Sequence, residues 1–435
     1  MVAIETPDRI SAMLDLTAPI SAEKKDRPGQ AVQIVLDRSG SMSGAPFTAA
    51  KESLLKLIDR LAPQDSFGLV TFDDQALVNI PIKKMSEHSL AGLRTVIRQL
   101  RTGGSTDLSA GYLLGLRELN THPQESGSTL LLISDGHANA GEKDPAILGA
   151  VATKSATQKI TTSTIGMGNG YDEKLLEAIT QGGGGSHRFA YTIDEAVGAI
   201  AAEVNDLLDK CAVNMVLRIT PVQGMAGAPT VEILQRLPYW KDGETYVVQL
   251  GDLYAGENRR FMIGFDVPQI AALGLATIAE ITLQYLDLAQ MTEMTVTLPV
   301  QVNVVPDDIA KGRIADPVVL AERLVLEAQK QKQEASLELE TGKVKDAISR
   351  FKSTAENLRR QASQIPVDDP RTSESLTIIR TEADEMERLA GYAEHEDANY
   401  ANKRNYESMS RNSRARKLRP TQEDIQGIDP DYLEP

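Results

Sequence analysis

The sequence predicts a multidomain protein of α/β + β + α class: a doubly wound parallel sheet, an antiparallel β-sandwich and a C-terminal helical bundle. Three observations predict it. Between about residues 30 and 208 short apolar runs alternate with amphipathic stretches; from about 209 to 306 the pattern turns to period two; after Pro306 it turns to steps of three and four. Each period buries a different face, so each change marks a different layer architecture. At 435 residues the chain is too long for one ordinary core and suits two or three domains.

The first region carries the apolar runs AVQIVL (from Ala31), FGLVTF (Phe67), LVNI (Leu77), TLLLIS (Thr129), ITTSTIGM (Ile160) and HRFAY (His187). Between them lie PFTAAKESLLKLIDRLA, SLAGLRTVIRQL, LSAGYLLGLREL and DEKLLEAIT, which repeat at the helical period. Strands this apolar are buried on both faces, as in an open, mostly parallel sheet with helices on either side. We assign residues 28–208 to this domain.

In AVNMVLRI the residues Val213, Met215, Leu217 and Ile219 alternate with others, and further short strands follow, punctuated by Gly, Pro and Asp. Residues 209–306 are therefore expected to form a sandwich. The early segment RISAMLDLT also alternates, imperfectly, and a lone strand is not stable by itself. Residues 1–27 are expected to contribute that strand to the sandwich, making the α/β domain an insertion.

Asp316 before Pro317 is a helix start, a capping carboxylate ahead of proline at the first helical position. Apolar positions at steps of three or four then continue through three stretches separated by Gly342 and Pro366. They read as a three-helix antiparallel bundle over residues 312–410. The remainder, 411–435, is basic and then acidic and is expected to be disordered.

Composition narrows the function classes. With 46 Lys plus Arg against 61 Asp plus Glu, the formal charge of -15 argues against a nucleic-acid binder. The cations between Lys403 and Arg419, followed by an acidic tail, read as a solvated terminus. The single Cys211 cannot form an internal disulfide or a thiolate metal cluster, and reads as a buried small side chain. No secretory signal and no membrane-length apolar run is present in the sequence, so a cytoplasmic location without membrane insertion is expected.

Functional groups in an open parallel sheet collect at the carboxyl ends of its strands. Asp37, Ser39 and Ser41 follow the first run, Thr106 and Asp107 sit in RTGGSTDLSAG before a helix, and Asp135 ends LLLISD. These are hard oxygen donors with no convergent His or Cys, a set that suits Mg²⁺, with Mn²⁺ or Ca²⁺ as alternatives. Asp107 equally fits a helix N-cap, and His137 and Asn139 read as exposed loop residues. The run Gly182 to Gly185 lacks the Lys-Ser or Lys-Thr of a phosphate loop and reads as a helix stop.

DRSGSMSG, then GGSTDL, then LLISDG in this order resembles the von Willebrand factor type A domain, in its bacterial intracellular form, whose metal-ion-dependent adhesion site has a DxSxS…T…D pattern. The resemblance covers roughly residues 30 to 208, implies a Rossmann-like sheet, and fills all five positions. By it, Ser39, Ser41 and Thr106 contribute hydroxyls, Asp37 and Asp135 act directly or through water, and a partner protein offers Glu or Asp to the cation. The segment GDLYAGENRRFMIGFDVP is similar to the β domain that accompanies such domains in some bacterial proteins.

Two other classes compete with this interaction module. A Mg²⁺-dependent phosphatase of the haloacid dehalogenase kind would use Asp37 as nucleophile, but position 39 is Ser39 where its acid/base Asp would stand. No GxSxG elbow supports a serine hydrolase, so an enzyme is not expected. A scaffold or adaptor of an ATPase-type machine, acting through the helical bundle, is the remaining alternative.

Overall fold

The computed structural model describes residues 1–19, 28–122, 126–168, 170–223, 227–313, 316–365, 370–413 and 416–418. Two strands come first, β1 (Val2–Ala3) and β2 (Asp8–Thr17), and both belong to the sandwich. The chain then enters an α/β unit that begins at β3 (Ala31–Asp37), where all seven residues are buried. Burial at every position, without alternation, requires cover on both faces of the sheet.

That cover comes from the order β3, α1 (Ala45–Ile58), β4 (Ser66–Phe72), β5 (Ala76–Lys84), α2 (Leu90–Gln99), α3 (Leu108–Asn120), β6 (Ser128–Ser134), α4 (Pro145–Thr157), β7 (Ile160–Met167), α5 (Glu173–Gly183), β8 (Gly184–Ala190) and α6 (Ile193–Leu208). The sheet runs β5-β4-β3-β6-β7-β8, parallel except for the antiparallel edge pair β4 and β5. Ile34 and Leu36 face α1, α2 and α6 through Leu54, Ile97 and Ile200, whereas Val35 faces α3 and α5 through Leu116 and Leu175. The Rossmann-like α/β class expected for this region is therefore observed.

Seven further strands follow: β9 (Lys210–Pro221), β10 (Thr230–Ile233), β11 (Tyr239–Asp242), β12 (Thr245–Tyr254), β13 (Asn258–Val267), β14 (Gly274–Asp287) and β15 (Thr292–Val305). One sheet is ordered β1-β15-β14-β9-β12-β11. In the other, β2 runs antiparallel along the whole of β13, and β10 pairs with β13 from Ile263 to Asp266. Leu217, Ile219, Val248, Phe261, Phe265 and Ile281 fill the space between the sheets. Ile10, Ala12, Leu14 and Leu16 of β2 pack against them.

After α7 (Asp307–Lys311) come α8 (Pro317–Glu340), α9 (Val344–Ala362), α10 (Pro370–His395) and α11 (Ala398–Ser413). Asp316 caps α8 by accepting from the Val318 amide at 2.9 Å. Leu324, Phe351, Leu358, Ile379 and Met386 make the bundle core. The fourth helix, α11, departs from the three-helix expectation. Its buried residues mix Ala401, Tyr406 and Met409 with Asn402, Lys403, Asn405 and Ser408, so its apolar pattern is too interrupted for periodicity to detect. Strand β16 (Arg416–Leu418) pairs with Asn258–Arg260 of β13, inside the segment expected to be disordered; residues 419–435 lie outside the described residues.

The α/β unit is tied to the sandwich by a buried polar knot. Asp252 accepts from Lys210 Nζ at 2.6 Å and from Thr161 Oγ1 at 2.7 Å, and Lys210 also reaches Thr129. Burial opposes ionisation of Asp252, yet the Lys210 ammonium holds its carboxyl below the usual range. The Gly182–Gly185 run belongs to this contact. It ends α5 with Gly184 at φ 71°, and a Cβ at Gly251 would stand 3.0 Å from the Gly184 carbonyl oxygen. Cys211 is half-buried, with its Sγ 3.4 Å from the Leu253 carbonyl oxygen.

Candidate metal centre

Parallel pairing of β3 with β6 sets Leu36 beside Ile133, so both chains leave the sheet together and bring Asp37 alongside Ser134 and Asp135. Asp37 is fully buried. Its Oδ1 accepts from the Ser39 amide at 2.8 Å and its Oδ2 accepts from the Ser134 hydroxyl at 2.6 Å. A single turn over Gly40–Met42 then reverses the chain, anchored by the buried Met42. Ser39 and Ser41 come out on one side, their hydroxyl oxygens 3.1 Å apart, and Ser41 donates to Asp135 Oδ1 at 2.8 Å.

Thr106 reaches the same place from the loop before α3. Gly103 donates to the Arg38 carbonyl at 2.8 Å, Gly40 to the Gly104 carbonyl at 3.2 Å, and Asp107 to the Asp73 carbonyl at 2.7 Å. Asn139 and Ala140 both donate to the Thr106 carbonyl, so the loop after β6 is held as well. Gly104 is required here: its φ is +74°, and a Cβ would stand 2.9 Å from the Asp73 side chain. A Cβ on Gly136 would lie 3.4 Å from both Ser41 Oγ and Thr106 Oγ1, so those two hydroxyls border one small space. All five expected residues thus come together at the strand tips.

The donor set fits a hard divalent cation. Among the described residues no three His, Cys, Asp or Glu side chains gather to hold a metal, and this cluster offers two carboxylates and three hydroxyls instead. Burial pushes the Asp37 carboxyl above its ordinary value, with a further rise from Asp73. Burial also pushes Asp135 up to about 6, and the neighbouring Asp37 adds to it. Two desolvated carboxylates that disfavour their own charge are the arrangement a cation relieves.

The neighbouring residues take other roles. Asp107 accepts from the Ala110 amide at 2.9 Å and from the Ser109 hydroxyl at 2.7 Å, which makes it the N-cap of α3. His137 and Asn139 are exposed on the rim, with His137 Nδ1 4.0 Å from Asp172 Oδ2. Sequence reasoning missed Ser134, although a polar residue ending the apolar run TLLLIS was the available signal. It also missed Arg38 and Asp73, which pair at 2.8 Å beneath the Thr106 loop. Nothing local in DRSGS or TFDD announces that pairing.

A three-layer parallel sheet with a hydroxyl and carboxylate cluster at its strand tips defines a metal-site class of α/β domain. Within that class, residues 32–203 match the family model of the von Willebrand factor type A domain, and the chain carries such a domain. Domains of this family often mediate metal-dependent protein–protein interaction, and their proteins are generally not enzymes.

The chain is 28% identical over 280 residues to the uncharacterized protein sll0103 of Synechocystis, an alignment covering 62% of this chain and 65% of that one. It is 28% identical to the uncharacterized Escherichia coli protein YfbK over 43% of this chain and 32% of that one. The match to rat inter-alpha-trypsin inhibitor heavy chain H3 is also 28% identical, over 38% of this chain and 19% of the other. The matched part is thus less than two thirds of each of these relatives.

Two solved structures share the fold along nearly the whole chain. A von Willebrand factor type A protein from Catenulispora acidiphila has a TM-score of 0.74 at 17% identity, covering 95% of this chain and 94% of that one. The ArnB paralog VWA2 from Sulfolobus acidocaldarius has a TM-score of 0.62 at 14% identity, covering 95% and 96%. No helix among the described residues is long and apolar enough to cross a membrane.

Proposed function

We propose that the chain is a metal-dependent protein-interaction module, in which Asp37, Ser39, Ser41, Thr106 and Asp135 hold Mg²⁺ and a partner protein supplies a Glu or Asp carboxylate. The observation that carries this reading is the convergence of Ser41, Thr106 and Asp135 around one space backed by the buried Asp37. Ser41 is exposed, so the cluster opens to solvent and a protruding side chain has access. The bound cation supplies a point of positive charge at the rim. Three of the five donors are neutral hydroxyls, so an incoming carboxylate gains more than an amide would. Asp37, Ser39 and Ser134 form a preset hydrogen-bonded base that keeps the donors aimed. Exposed ion pairs contribute little, so the partner must cover the contact with a rim that includes His137.

Calorimetric titration of the full chain with Mg²⁺ and Mn²⁺ tests the site. Asp37→Ala and Asp135→Ala are expected to abolish or strongly weaken cation binding, and unchanged affinity in both would overturn the assignment. Partner capture from a lysate with Mg²⁺ and with EDTA tests the interaction. Equal capture in EDTA would rule out the metal-bridged mechanism.

A further inference from the structure

Arg38 is the residue between Asp37 and Ser39, and its guanidinium pairs with Asp73 at 2.8 Å. Asp73 is buried, and its Oδ1 caps the Gln75 amide at 3.0 Å. Its side chain lies against Gly104, two residues before Thr106, and its backbone oxygen holds Asp107. Asp73 is thus a third carboxylate beside the centre, close enough for its charge to raise Asp37 further. Arg38 is the cation paired with it. The Arg38 carbonyl meanwhile accepts from Gly103, so the same residue touches the Thr106 loop with its backbone and Asp73 with its side chain.

We propose that the Arg38–Asp73 ion pair sets the charge of the metal centre: Arg38 cancels Asp73, so that Asp73 adds no net negative charge to that of the donors Asp37 and Asp135. The proposal rests on the metal-site reading above and adds residues outside its donor set. Both charges are largely desolvated, with side-chain exposures of 23% and 6%, so the pair acts on the centre through a medium that screens poorly. Replacing Arg38 with a neutral residue leaves the Asp73 charge beside the donors uncancelled. Replacing Asp73 leaves an uncancelled guanidinium one residue from Asp37.

Those two changes have opposite signs, which separates charge setting from mere support of the loop. In calorimetric titration of the full chain with Mg²⁺ and with Mn²⁺ at low ionic strength, Arg38→Gln is expected to tighten cation binding about fivefold. Asp73→Asn, whose Oδ1 can still cap Gln75, is expected to weaken it about as much. The double variant should return to about the wild-type affinity, because the two opposite charge changes cancel. Arg38→Lys keeps the charge and should behave as wild type. Thermal melting of each variant checks that it is folded. Weaker binding in both single variants, or no change in either, overturns the charge-setting role while leaving the metal site standing. Absence of cation binding by the wild-type chain overturns both.

Discussion

Lys403 Nζ lies 2.7 Å from the Tyr171 carbonyl oxygen and 2.5 Å from Glu173 Oε2, so a fully buried ammonium in α11 grips the turn between β7 and α5. The same group sits 4.1 Å above the Tyr171 ring, and Arg404 beside it pairs with Glu195 at 2.8 Å. The gripped turn borders the strand-tip cluster: a Cβ on Gly170 would be 3.1 Å from the Asp135 carbonyl oxygen. The C-terminal helix is therefore fastened to the α/β unit on the flank of its candidate site.

Removing Lys403 should be costly. Lys403→Met leaves Glu173 and the Tyr171 carbonyl without their buried donor, and breaking one side of a buried pair costs on the order of 3–5 kcal/mol. Urea unfolding of the variant should show a lower midpoint and more ready release of α11 to protease. A midpoint within error of the wild type would show that the contact carries no net stability.

Acidification should act through His187. This ring is buried between Thr164 and Tyr171, within 2.7 Å and 3.3 Å of their hydroxyl oxygens, and burial together with the Lys403 charge lowers its pKa to about 3. The unfolded chain binds a proton near pH 6.5 and the folded chain does not, so stability falls as pH drops from about 6.5 toward about 3. The slope from this residue is at most about 1.4 kcal/mol per pH unit. His187→Gln should flatten the wild-type profile of stability against pH over that window. An unchanged profile would assign the acid sensitivity to other groups.

Gly251 has φ +76° and faces the Gly184 carbonyl oxygen across the interface between the sandwich and the α/β unit. Gly251→Ala combines left-handed strain with a contact of 3.0 Å that neither backbone can easily relieve. A destabilisation of about 1–3 kcal/mol is expected by calorimetry. Gly243→Ala also has positive φ, at +61°, but nothing lies within 4 Å of its Cβ position, so it should cost less. Equal costs at the two positions would remove the interface argument.

Deleting residues 1–19 strips β2 from β13, where it pairs at ten positions, and uncovers the apolar side of the sandwich. An open edge with apolar neighbours invites association. The shortened chain is expected to aggregate or melt at lower temperature. Equal solubility and an equal melting temperature would show that β2 is dispensable.

The α/β class was legible because four of its strands are buried at every position, and continuous apolar runs announce that condition directly. The strand-tip residues were legible for a related reason: Asp37, Ser39, Ser41, Thr106 and Asp135 each follow a recognisable run or precede a recognisable helix, so position along the chain gives position in the sheet. Helix α11 was not legible. Its buried face mixes Ala401, Tyr406 and Met409 with Asn402, Lys403, Asn405 and Ser408, and Lys403, Asn405 and Ser408 look solvated until Tyr171, Glu173, Lys332 and Ser336 are placed against them.

By itself, the sequence determined what period and local order can encode: where strands and helices fall, which faces are apolar, and which oxygen donors stand at the ends of strands. Tertiary structure decided the pairings between charges far apart in the chain. Arg38 with Asp73, Lys210 with Asp252 and Lys403 with Glu173 each place a cation out of water. A buried charge is tolerated only through its partner, and that partner is a property of the folded arrangement rather than of either residue's neighbours in sequence.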